Sequence, residues 1–267
     1  VTARRRKITN LAVPRGVPVT PQPRAPRSWE LAAKSSVPSD TLVRHRHDLT
    51  GRFFLGLALG FNDLKGLTLF EQYLEAMGRP SAGDYSPYFG QWHGTNVQIH
   101  RWIVGVLHEL MLVIDAKQYK PVLKSVELAR FVAAIDPKHQ EAWKLLVSVA
   151  SAPVKQAGLP AVLHRIRNDA AFHYNYNGTS LGEAYIDLFG SVAASNPNGA
   201  NAGAQFSYGG TLPAVRFYFA DGAAQHVMTK LLLANQATID DIFEFAKKAM
   251  LSIAELLRVF IQSRQPA

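Results

Sequence analysis

The stretch "TNVQIHRWIVGVLHELMLVID", residues 95–115, decides the fold. Wound as a helix, it is apolar over most of its circumference, and such a helix belongs at the centre of a bundle. The flanking sequence supplies the helices that would cover it. Asp63 and Glu71 bracket Leu64, Leu67, Phe70, Tyr73 and Leu74, spaced by threes and fours as on one helix face. Gly78, Pro80, Gly83 and Pro87 mark a loop. Asp136-Pro137 pairs an N-cap with a first-turn proline and opens a helix to about residue 151. Pro160 opens the next helix in the same way. Thr238 and Asp241 match a capping box, with Asp in place of the usual Glu or Gln. The helix they start carries Ile242, Ala246, Met250, Ile253, Leu257 and Phe260 along one stripe and ends near Arg264.

One segment departs from this period. "SNPNGANAGA", residues 195–204, is turn and loop chemistry. In the "QFSYGGTLPAVRFYFADG" that follows, Val215, Phe217 and Phe219 alternate with Arg216 and Tyr218 after a Gly-Gly turn, which predicts a β-hairpin over 204–220. The expected architecture is mainly α: one helical domain over 29–267, with a loop and small hairpin at about 195–220, before the last two helices.

The chain has 267 residues and is 48% hydrophobic, enough to bury a sizeable core, and it has no cysteine for a disulfide or thiolate metal site. The net charge of +9 is unevenly distributed. Arg4, Arg5, Arg6, Lys7, Arg15, Arg24 and Arg27 fall in residues 1–28, which hold no acid but five prolines. This stretch reads as a disordered basic arm. Its Arg4, Arg5, Arg6 and Lys7 suit a polyanion such as RNA; the alternative is a plain solvated tail. The rest of the chain is nearly neutral, so no broad basic face is expected. Neither a signal-peptide pattern nor an unbroken apolar run of about 18 residues occurs, so the expectation is a cytoplasmic protein without a membrane span.

The stretch with the most chemistry is "RIRNDAAFHYNYNG", residues 165–178. A helix is predicted over 159–175, with Leu163, Ile166 and Ala170 inward. Arg165, Asp169 and His173 are four apart and share a face, so Asp169 is placed to hydrogen-bond His173 and fix its tautomer. Arg167 lies about 120° around the helix from His173. A guanidinium, an amide and a histidine together suit phosphodiester cleavage. Histidine moves a proton from a ribose 2′-hydroxyl or to the leaving oxygen, and arginine stabilises charge on the phosphorane. That chemistry calls for no metal and no cofactor.

Arg167-Asn168, four further residues and His173 resemble the R-x(4–6)-H motif of the HEPN superfamily, whose motif arginine is often followed by a polar residue. The resemblance covers about residues 40–190. It implies a helical bundle that homodimerises, with both protomers giving the motif to one cleft. It also implies metal-independent ribonuclease activity, as in toxin, antiphage and RNA-processing systems, or a non-catalytic scaffold that holds RNA or a protein partner such as an antitoxin. On this chain Arg167, His173 and Asn168 take the motif positions, with Asp169 and Tyr174 in support and Arg165 as a further RNA contact. "FHY" (172–174) and "RFYFAD" (216–221) resemble an uncharacterised group of bacterial proteins. The remaining histidines are weaker candidates. His45 and His47 are two apart, which does not place ligands on one helix face. His93, His100 and His108 follow a spacing of seven and eight, which is expected to put them on one face of the central helix; they read as buried, hydrogen-bonded groups, with a pocket role as the alternative. No phosphate-binding loop, nucleophile elbow or dinucleotide fingerprint occurs.

Overall fold

The computed structural model describes residues 39–81, 86–153, 157–171, 178–190, 206–207, 210–211 and 215–265, all within one compact unit, Ser35–Ala267. The basic arm of 1–28 lies outside the described residues. The elements are α1 (Ser39–Leu42), α2 (Leu49–Ala76), α3 (Pro87–Asp115), α4 (Lys120–Leu123), α5 (Val126–Ala133), α6 (Pro137–Ser151), α7 (Leu159–Ile166), α8 (Gly178–Tyr185), α9 (Tyr218–Ala234) and α10 (Ile239–Arg264). A 3₁₀ turn, Lys117–Tyr119, precedes α4, and π-turns extend α7 over Arg167–Ala171 and α8 over Ile186–Gly190.

α3 is the central helix that its sequence predicts. Ile99, Ile103, Val104, Leu107, Leu110 and Ile114 are buried on it, and α2, α6, α7 and α9 pack around it. α2 comes close because Gly60 has no side chain: a Cβ there would stand 2.3 Å from Leu110 Cδ2. Phe53, Phe54, Leu57 and Leu64 fill the α2 side of the core. The ring of Phe54 stacks on Phe260 of α10 at 4.2 Å between centroids. Burying rings of this size contributes about 1.5–3 kcal/mol each.

The caps follow the sequence. Asp136 accepts from Lys138 N at 2.9 Å and opens α6 at Pro137. Pro160 sits in the first turn of α7. Thr238 and Asp241 form both halves of the capping box of α10, which ends at Arg264 as expected. Asp48 caps α2 by accepting from Gly51 N at 2.8 Å, and Arg264 reaches back to it across the fold.

Two expectations change. The apolar stripe on α2 is divided, with Leu64 and Leu74 buried while Phe70 and Tyr73 face solvent, alongside Leu55 and Leu59. By length and composition, Leu49–Ala76 and Tyr88–Asp115 are each apolar enough to cross a bilayer, with 22% and 61% of their apolar windows buried inside the bundle. Scattered polar residues interrupt both runs, so a search for unbroken apolar sequence passes over them.

The predicted hairpin is not formed among the described residues. A single antiparallel bridge joins Ser207 and Arg216, with N–O distances of 2.7 and 2.9 Å, and α9 begins two residues later at Tyr218. Of the five alternating residues only Tyr218 and Phe219 are helical; Val215, Arg216 and Phe217 precede α9, with Arg216 in the bridge. Gly90 and Gly94 leave a trough on α3 that receives the Tyr218 ring and the Arg216–Asp221 ion pair, whose nitrogen and oxygen are 2.9 Å apart. Residues 195–205 of the expected loop lie outside the described residues.

Candidate functional site

Arg167 stands on the π-turn that continues α7. Leu163 and Ile166 are wholly buried and fix the helix against the core. The i→i+5 bonding then widens the backbone at Arg167–Ala171. Such single π-turns are frequent at functional sites because they turn side chains off the regular helical register.

Arg167, Asn168 and three residues from elsewhere make one polar chain. Arg167 Nη2 meets Glu109 Oε1 of α3 at 3.1 Å, and Nη1 donates to Asn168 Oδ1 at 3.0 Å. Asn168 Nδ2 lies 3.0 Å from His164 Nε2, and His164 Nδ1 lies 3.2 Å from His108 Nε2 of α3. His108 is 5% exposed. Burial, then the nearby Arg167 charge and His164, lower its pKa to about 4, against a smaller opposing effect of Glu109. His108 is therefore neutral at pH 7. Two buried nitrogens of this group, His108 Nδ1 and Arg167 Nε, have no hydrogen-bond partner among the described residues.

The Arg167 side chain is 23% exposed, with its Nε buried, and its partner Glu109 is 57% exposed. A pair this open to water is worth only about 0–1 kcal/mol. A phosphate can therefore replace Glu109 at low cost and take paired donors from the arginine.

Arg167 and Asn168, both named as site candidates from the sequence, are hydrogen-bonded to each other. Arg165 is exposed, and Asp169 is half-buried on the same turn. His173 and Tyr174 lie outside the described residues, as does the expected Asp169–His173 bond. Sequence reading missed His164 as a site residue and Glu109 altogether. The spacing of four between His164 and Asn168 was the available signal, overshadowed by the motif spacing to His173.

The other histidines separate. His93 and His100 line a cleft of about 630 Å³ between α2, α3, α9 and α10, with Glu71, Arg79, Trp92 and Phe243. His100 Nε2 is 3.5 Å from Glu71 Oε1, and burial together with the Arg79 charge lowers the pKa of His93. His108 does not share this cleft: seven steps return a helix to nearly the same face, whereas eight turn it about 80° away. His45 and His47 are exposed ahead of α2, and no cluster of three metal-ligating side chains occurs among the described residues.

No family model, curated protein or solved structure matches this chain. Its own residues therefore carry the functional argument.

Proposed function

We propose that this protein is a HEPN-like, metal-independent endoribonuclease acting on single-stranded RNA as a cytoplasmic homodimer. One observation carries the reading. Arg167 is held at an accessible edge by a weak pair with Glu109 and by Asn168, on a π-turn that follows a helix locked into the core. It is an arginine positioned but not used up.

In the proposed reaction, His173 takes the proton from a ribose 2′-hydroxyl. The 2′-oxygen bonds to phosphorus, the bond from phosphorus to the 5′-oxygen breaks, and a protonated His173 of the second protomer supplies the leaving oxygen with its proton. Arg167 donates to the phosphorane oxygens as negative charge builds there. Two protomers complete the site because two copies of the motif brought face to face make one symmetric pocket. The basic residues Arg4, Arg5, Arg6 and Lys7 add weak, salt-sensitive hold on the RNA.

A second reading draws on the same pair. If Glu109 keeps Arg167 and no RNA displaces it, the face is a non-catalytic platform for RNA or a protein partner. Incubating single-stranded RNA with the wild type, Arg167→Ala and Glu109→Gln separates the two. A ribonuclease loses activity in the first variant and keeps or gains it in the second. A platform shows no cleavage in any of the three. Sedimentation at micromolar concentration should show a dimer, and a monomer there removes the composite site.

A further inference from the structure

We propose that His164, which lies outside the motif, is a positioning residue for Arg167 and acts through the Asn168 amide. A guanidinium only donates. Asn168 must therefore turn its oxygen to Arg167 Nη1 at 3.0 Å, which turns its NH₂ group to His164 Nε2 at 3.0 Å. That nitrogen has to accept, so His164 is neutral and carries its proton on Nδ1. Nδ1–H then faces His108 Nε2 at 3.2 Å, which accepts in turn. His108, neutral in its buried place, is left with its proton on Nδ1, where it has no partner.

Arg167 thus sets the direction of the whole chain, and the chain holds Arg167 in return. A phosphodiester that captures the guanidinium frees the Asn168 amide to turn over and accept from His164 Nε2–H. The direction then reverses. His164 and His108 each give up the Nδ1 proton to solvent and take one at Nε2, an exchange that requires the buried His108 Nδ1 to open to water. Each ring still holds one proton. His108 Nδ1 has no partner among the described residues in either direction. Release of Arg167 to an anion is the event that reverses the chain. Only the identity of that anion, an RNA phosphodiester, rests on the ribonuclease reading; the hydrogen-bond directions stand independently.

The test is the tautomer of His164 in the full-length protein, read from ring nitrogen shifts after ¹⁵N-histidine labelling and assigned with His164→Asn. The wild type should show His164 predominantly as the Nδ1–H form, the less common tautomer of a free histidine. Arg167→Met and Asn168→Leu, each checked for native helicity, should both move it to predominantly Nε2–H. A saturating single-stranded oligodeoxynucleotide, which lacks the 2′-hydroxyl and is not cleaved, should produce the same change in the wild type. An Nε2–H tautomer in the free wild type, or no change in either variant, overturns the assignment. If the oligonucleotide does not bind, the RNA reading fails, and the wild-type and variant tautomers still decide the role of His164.

Discussion

Replacing Arg264 with alanine should destabilise the protein by about 3–5 kcal/mol, because it leaves a buried carboxylate without its cation. Arg264 and Asp48 have side chains only 6% and 8% exposed, with Nη1 3.3 Å from Oδ2, and they tie the end of the last helix to the cap of α2. A second nitrogen of Arg264 lies 3.8 Å from Glu127 Oε1. The lower half of that range is the better expectation, since Asp48 keeps two backbone donors, Gly51 N at 2.8 Å and Arg44 N at 3.1 Å. The pair should also show in acid. Burial alone would raise the pKa of Asp48, but the Gly51 and Arg44 N–H groups and the Arg264 charge outweigh it and hold it below the usual carboxylate value. A depressed folded-state pKa means the contribution is present above the unfolded value and is lost as pH falls through the folded one. Urea unfolding at pH 7 and at steps below pH 4 measures both effects. Arg264→Met should lower stability at pH 7 and flatten part of the acid dependence. A change of less than about 0.5 kcal/mol, the usual size for a surface substitution, would refute the view that this pair is buried and coupled.

Two further outcomes bear on the fold and the arm. Thr238→Ala removes the side chain that accepts from Asp241 N at 3.2 Å, and should cost about 1 kcal/mol in chemical denaturation, the usual value of an N-cap. Deleting residues 1–28 removes seven basic residues and no acid, so the melting temperature should stay nearly constant while RNA retention at low salt falls; an early-melting or aggregating deletion variant would mean that the arm packs on the body.

What was legible in the sequence was what local chemistry decides. Asp136-Pro137 and the Thr238–Asp241 box specify helix starts through hydrogen bonds only two or three residues long, and both appear where expected. The residues at 95–115 announce a central helix by composition alone. The segment around 215–219 was misread because its conformation is set from a distance, by a glycine trough on α3 more than a hundred residues earlier in the chain. The site was half legible. Arg167 and Asn168 are neighbours and form a motif, whereas Glu109 and His108 reach them only through the packing of α3 on α7, which no spacing rule records. The π-turn that aims Arg167 was hidden for a related reason: one extra residue in a helical turn leaves the apolar period of Leu163 and Ile166 intact.

The chemistry at the ends of the RNA product decides whether this protein cleaves RNA by 2′-oxygen attack. Attack by a 2′-oxygen leaves a 2′,3′-cyclic phosphate on one fragment and a 5′-hydroxyl on the other. Wild-type protein given single-stranded RNA in the presence of a chelator should release both ends. Loss of a positioned proton-transfer group costs roughly 100- to 10,000-fold in rate, and loss of a key charge-stabilising donor about 100- to 1000-fold. His173→Ala and Arg167→Ala should therefore bring product formation to near background with helicity intact, while Arg165→Ala keeps most of it. The absence of cleavage by the wild type across a broad RNA panel, or full activity in both motif variants, contradicts the account.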